Sequence, residues 1–218
     1  MWSNRKPIKA LLFDIGGVLV KTQLDVFYQV GSLLFGCSEQ DLETHIASMV
    51  KELERGEVDC YAVWEELGDL LEAQGRSRPE PERIDEIWAQ TIRATLEIDQ
   101  EMVRFCTELK GLLPMGALSN TIADHASHLR GLGLYSLFNP CVLSCEVGLR
   151  KPERRIYRLA SELLNTPPEN CLFIDDLSVN IKAAKAAKMQ THLFTDRNSL
   201  KKSLEEAGVL SRSSGYEP

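Results

Sequence analysis

No apolar run in this chain of 218 residues approaches the length of ~20 needed to cross a bilayer, so no membrane partner is expected. The first seven residues, Met1 to Pro7, are polar and hold no apolar stretch of the secretory kind, which predicts a chain without a signal peptide. No Cys-x-x-Cys pair occurs. The six cysteines, at 37, 60, 106, 141, 145 and 171, sit mostly beside apolar residues and read as reduced thiols of a cytosolic protein. Positive charge is in short supply: 25 basic against 32 acidic residues leave a net charge of −7, and no Lys/Arg stripe with interleaved aromatics offsets it. That balance excludes a general nucleic-acid surface. The four histidines, at 45, 125, 128 and 192, lack zinc-ligand spacing and read as surface or core residues. No internal repeat is present, and nothing in the pattern gives an oligomeric state.

What remains is an ordinary globular composition, 44% apolar and 26% charged, enough for one sizeable core with a small second unit. Ile8 to Phe13 is a short unbroken apolar run, the pattern of a strand buried on both faces of a parallel sheet. From about Gln23 to Thr95 only helical spacing appears. Ser38-Glu39-Gln40-Asp41 has the form of a capping box, Gly56 breaks the pattern, and Trp64 and Trp88 recur among Leu and Ile as the core of a helical insert. From about Ile98 strands and helices alternate. Strands are expected over 112–118, 141–144, 171–174 and 191–194, with helices between them, including one opened by Pro152 at its first position. The simplest topology is an α/β fold, a doubly wound, Rossmann-like parallel sheet with an inserted helical cap domain. Residues 1–20 and 96–210 then form the core, 21–95 the cap, and 211–218 a disordered tail.

Four polar clusters fall at the expected strand ends. The first strand runs into Asp14 and then Gly16-Gly17, where the backbone turns and a ligand can approach closely. A carboxylate there reads as a nucleophile or metal ligand, or else as a turn or N-cap aspartate. The second cluster is Ser119-Asn120, a hydroxyl and backbone N–H groups ahead of a helix, suited either to phosphate oxygens or to ordinary capping. The third is Lys151-Pro152, with the lysine placed at the mouth of a helix or simply solvated. The fourth, Asp175-Asp176 with Asn180, follows an apolar strand. Adjacent carboxylates at a buried strand tip repel each other and call for a hard cation such as Mg²⁺.

Taken in order, Phe13-Asp14-Ile15-Gly16-Gly17-Val18-Leu19, Leu118-Ser119-Asn120, Lys151-Pro152 with Tyr157, and Phe173-Ile174-Asp175-Asp176 with Asn180 resemble the haloacid dehalogenase superfamily. The resembling branch carries a helical cap after its first strand. The resemblance covers Ile8 to about Phe194 and implies a Mg²⁺-dependent phosphomonoester hydrolase. In it Asp14 attacks phosphorus, and Lys151 supplies positive charge where the transferring group gathers negative charge. Ser119, the N–H of Asn120 and Lys151 bind phosphate. Asp14, Asp176 and the Gly16 carbonyl hold Mg²⁺, oriented by Asp175 and Asn180. The implied partner is a small-molecule phosphate ester, a sugar, acyl or aryl phosphate.

One position departs from the family pattern. Active phosphatases of this superfamily usually carry an aspartate two residues after the nucleophile as general acid and base, and here that position is Gly16. Leaving groups that depart unaided are therefore favoured, unless the cap supplies an acid; Asp25, Glu57 and Asp59 are candidates. Two alternatives stand beside the phosphatase. One is a metal-independent 2-haloacid dehalogenase, disfavoured because no arginine lies between Lys6 and Glu54 to hold halide. The other is a non-catalytic binding module that kept the fold. Hinges for cap movement are expected near Lys21-Thr22 and Leu96-Glu97.

Overall fold

The computed structural model describes residues 6–211, so the expected disordered tail lies outside the described residues from position 212 onward. The chain begins with strand β1 (Ala10–Phe13) and a short strand β2 (Val20–Thr22). Four helices follow: α1 (Leu24–Phe35), α2 (Glu39–Arg55), α3 (Cys60–Ala73) and α4 (Pro81–Thr95). A second short strand, β3 (Leu96–Ile98), leads to α5 (Gln100–Leu109), β4 (Met115–Ser119), α6 (Ala123–Gly131) and β5 (Cys141–Leu143). Then come α7 (Ser144–Val147), α8 (Arg154–Leu163), β6 (Cys171–Asp175), α9 (Ser178–Ala186), β7 (Gln190–Leu193) and α10 (Arg197–Glu206).

The main sheet has the order β5-β4-β1-β6-β7, with every pair parallel. β1 is central and wholly buried, as its unbroken apolar sequence requires. Alternate side chains leave it on opposite faces. Leu11 and Phe13 join a cluster with Met102, Phe105 and Leu109 of α5 and Leu200 and Leu204 of α10. Ala10 and Leu12 join a second cluster with Ile156 and Tyr157 of α8 and Ile181 and Ala184 of α9. The connections run outward from β1 to β4 and β5, then return to β6 on the other side of β1. The strand order therefore reverses between β1 and β6, and the carboxyl ends flanking such a reversal are where open α/β sheets bind ligands.

The insert is helical throughout, with its own apolar cluster built on Phe35, Leu42, Leu53, Val63, Trp64, Leu67 and Ile84. Ser38 caps α2 as expected, its Oγ accepting from Asp41 N at 3.0 Å, and Gly56 ends that helix in the left-handed region at φ 67°. The segments expected to hinge prove to be strands. β2 and β3 pair antiparallel, with Lys21 opposite Glu97 and Thr22 opposite Leu96, so the insert joins the core through a two-stranded ribbon.

Two local expectations are corrected. Pro152 does not open a helix: α8 starts at Arg154, and Pro152 lies in a tight turn closed by Glu153 N donating to Arg150 O at 2.9 Å. The strand expected from 112 begins only at Met115, because Leu112 and Leu113 follow Gly111, at φ 98°, in a turn that ends at Pro114. All six cysteines are free thiols. Among the described residues no helix is long and apolar enough to cross a membrane.

Candidate active site

Asp14 follows β1 directly and is 5% exposed. Its backbone N–H donates to Ile174 O at 2.8 Å, which continues the β1–β6 pairing and fixes the residue at the reversal point. Oδ1 accepts from Ile15 N at 2.7 Å and lies 2.7 Å from Lys151 Nζ. The same ammonium donates to Asp175 Oδ2 at 2.8 Å. Lys151 is 2% exposed and Asp175 fully buried. A lysine so placed stays charged only because two carboxylates receive it, and they hold its pKa above the ordinary lysine value against the opposing effect of burial. Burial pushes the Asp14 carboxyl up to about 7; Lys151 opposes the rise and Asp175 adds to it.

Asp175 is held from several sides. Asn180 Nδ2 donates to its two oxygens at 3.1 and 3.0 Å, and Leu177 N donates to Oδ1 at 2.8 Å. Tyr157 OH donates to Asn180 O at 3.2 Å, fastening α9 to α8 behind the site. The Asn120 side chain grips the backbone of Lys151: Oδ1 accepts from Lys151 N at 2.7 Å, and Nδ2 donates to Lys151 O at 2.9 Å. Nothing in the sequence pattern around either residue hints at that grip. Ser119 ends β4, the strand whose Ala117 pairs with Phe13, and is 3% exposed.

Asp14, Asp175 and Asp176 each present a carboxylate oxygen within 4.8 Å of the others. Two carboxylates thus flank the buried ammonium with a third beside them, and burial, followed by repulsion from Asp175, keeps the half-buried Asp176 above its usual carboxyl value. This all-oxygen, negatively charged donor set fits a hard divalent cation. Both oxygens of Asp175 take hydrogen bonds, from Lys151, Asn180 and Leu177, whereas those to Asp14 fall on Oδ1, so Asp14 and Asp176 are the carboxylates that could hold a cation. Gly17 makes the cradle possible. At φ 74° it lies where a Cβ would collide with the Asp176 carboxylate. A Cβ on Gly16 would meet open space.

A family profile described as haloacid dehalogenase-like hydrolase matches residues 8–188. The chain belongs to the haloacid dehalogenase-like hydrolases. Sesquiterpene phosphatase astK of Aspergillus oryzae is 30% identical over 194 residues, 86% of this chain and 90% of that protein. Bifunctional epoxide hydrolase 2 of Rattus norvegicus is 30% identical over 169 residues, 72% of this chain; the match spans only 30% of that longer protein. Among solved structures, a HAD family enzyme of Bacteroides thetaiotaomicron in complex with magnesium and inorganic phosphate superposes with a TM-score of 0.72. It covers 88% of this chain and 98% of that one at 22% identity, a likeness of fold.

The sheet therefore brings Asp14, Asn120, Lys151, Asp175, Asp176 and Asn180 together, with Ser119 at the end of β4 and Gly16 on the loop after β1. The cap carboxylates are placed elsewhere. Asp59 caps α3, its Oδ1 accepting from Ala62 N at 2.9 Å; Glu57 lies 4.0 Å from Arg55; Asp25 is exposed in the first turn of α1. Contacts between cap and core escaped the sequence reading. Glu54 Oε2 accepts from Arg150 Nε at 2.7 Å, and Glu153 Oε1 accepts from Arg55 Nη2 at 2.6 Å, so the end of α2 is clasped to the residues on either side of Lys151. Trp88 Nε1 donates to Asp124 Oδ2 at 2.8 Å at the other side of the insert.

Proposed function

We propose that the protein is a Mg²⁺-dependent phosphomonoester hydrolase acting through a phosphoryl group carried on Asp14. The observation that carries the reading is the buried Asp14–Lys151–Asp175 chain, with Asp176 beside it, at the sheet's reversal point. A carboxylate attack on phosphorus splits hydrolysis into two easier displacements. The Asp14 oxygen forms a bond to phosphorus while the ester P–O bond breaks, and the departing alcohol oxygen takes a proton from water. A second water then attacks phosphorus, releasing inorganic phosphate and the free carboxylate. Lys151 offers fixed positive charge to the phosphoryl oxygens, and the site is already built, so little reorganisation opposes the step. Ser119 and the backbone N–H of Asn120 receive the remaining phosphate oxygens. Asp14, Asp176 and the Gly16 carbonyl would hold Mg²⁺, which, when bound, offsets the repulsion between carboxylate and phosphate. Residues 1–20 and 96–210 supply the chemistry, and residues 21–95 act as a cap over it. The name of the Aspergillus oryzae relative, a sesquiterpene phosphatase matched over 90% of its length, agrees with a phosphatase.

The test is a screen of phosphorylated metabolites with Mg²⁺, run beside Asp14→Asn. Hydrolysis that needs both Asp14 and Mg²⁺ is expected. Turnover of 2-haloacids without metal, or no turnover of any ester despite Mg²⁺ binding, overturns it.

A further inference from the structure

A cavity of about 340 Å³ lies between the cap helices and the loop after β4, within the size range of roughly 300–1,000 Å³ that holds small ligands. Asn120 and Thr121 form its floor, so it begins where the proposed phosphate site ends. Its wall is apolar and aromatic. Trp64 and Trp88 meet edge to face with ring centroids 5.1 Å apart, and Phe27 meets Trp88 in the same manner at 5.4 Å. Val63 and Leu53 complete that side.

Several polar groups lining the cavity are engaged within the protein, and Trp64 Nε1 is buried there without a partner, a lone donor in an otherwise apolar wall. Glu54 is ion-paired with Arg150. Thr95 Oγ1 donates to Thr91 O at 2.8 Å, Asn120 grips Lys151, and Thr121 Oγ1 donates to Ile122 O at 3.3 Å. His125 stacks on Trp88 at 6.5 Å and, being desolvated, is neutral near pH 7. A polyol placed here would lose hydration at several hydroxyls and regain few hydrogen bonds, whereas a hydrocarbon would lose only its unfavourable contact with water.

We propose that this cavity binds the alcohol part of the substrate, and that the substrate is the phosphate monoester of an aromatic or hydrocarbon alcohol, not of a sugar or polyol. The proposal rests on the phosphatase reading for the position of the phosphate. Two primary alkyl esters separate body from leaving group: 2-phenylethyl phosphate and glycerol 3-phosphate, each assayed with Mg²⁺. At least tenfold higher kcat/KM for the phenylethyl ester, arising mainly in KM, is expected. Equal or better turnover of glycerol 3-phosphate overturns the proposal and leaves the phosphatase reading intact.

Binding gives a readout free of catalysis. Titration with 2-phenylethanol is expected to shift the tryptophan emission saturably, because Trp64 and Trp88 both line the cavity, while glycerol leaves it unchanged. If neither these two esters nor any ester of the metabolite screen is hydrolysed, the phosphatase reading fails, and a saturable alcohol shift still supports the apolar site; absence of that shift overturns it. Ile46→Glu, at a half-buried lining position on α2, is expected to abolish both the shift and the ester preference, with Val50→Glu as a second variant should the first fail to fold. Retention of both in a folded variant contradicts the assignment.

Discussion

Asn120 holds the main chain of Lys151 at both its N–H and its carbonyl, through the two ends of one side-chain amide. The residue that follows Ser119 therefore does more than present its own N–H group. It sets the height at which the Lys151 ammonium enters the space between Asp14 and Asp175. Asn120→Ala removes both bonds and frees that turn. A displacement of ~1 Å in a catalytic group can cost on the order of 10²-fold in rate. kcat for Asn120→Ala is expected to fall by about that factor. Asn120→Asp keeps the acceptor for Lys151 N and is expected to fall less. Steady-state kinetics on the two variants checks the order.

Gly17 and Gly16 are neighbours with opposite tolerance. Gly17→Ala drives a Cβ into the Asp176 carboxylate at a backbone angle that side chains rarely adopt. Asp176 must move, so the Mg²⁺ concentration for half-maximal activity is expected to rise at least tenfold. Gly16→Ala meets nothing within 4 Å, and its thermal stability is expected to stay within about 0.5 kcal/mol of the parent. Mg²⁺ titrations and melting curves of both variants distinguish the two positions.

The missing acid at Gly16 has a kinetic signature. General acid help is typically worth ~10²–10⁴ in rate, and none of the cap candidates Asp25, Glu57 and Asp59 lines the cavity at the site. Rates across a series of aryl phosphates are expected to rise steeply as the leaving phenol becomes more acidic. Gly16→Asp has room for its side chain and is expected to flatten that dependence, accelerating the poorest leaving groups most. A parent enzyme indifferent to leaving-group acidity contradicts this.

His125 couples stability to pH. Desolvation, aided by His128 and opposed by Asp124, lowers its pKa from 6.5 to about 4. The folded protein prefers the neutral ring, and the unfolded chain takes up a proton first. The stability is therefore complete above about pH 6.5 and is lost as pH falls toward 4, by at most about 3 kcal/mol. Water reaching the half-buried ring reduces that figure. His125→Gln is expected to show a smaller loss of melting temperature between pH 7 and pH 4.5 than the parent.

The strand-end clusters were legible because burial leaves little freedom: an apolar run ending in Asp14, or in Asp175-Asp176, has few physical meanings. The capping of α2 by Ser38 is equally local and equally readable. What escaped is non-local or short. Glu54 and Arg150 are 96 positions apart, and nothing near either one announces the pair. β2 and β3 are three residues each, too short for a period to emerge, so their ribbon read as a bare hinge. Pro152 suits a first helical position, yet the turn that delivers Lys151 to Asp14 occupies that place instead. Trp64 and Trp88 read as cap core. They are packed there, and they also wall the cavity, a second role that spacing along a helix does not reveal.

The most direct test follows the phosphoryl group itself. The protein is mixed with Mg²⁺ and a turned-over phosphate ester, quenched in acid during turnover, and digested for peptide mass spectrometry. The peptide bearing Asp14 is expected to carry one phosphoryl group on that side chain, and the Asp14→Asn protein none. Undiminished hydrolysis by Asp14→Asn, or a phosphoryl group found on any other residue, contradicts the assignment of Asp14 as the nucleophile.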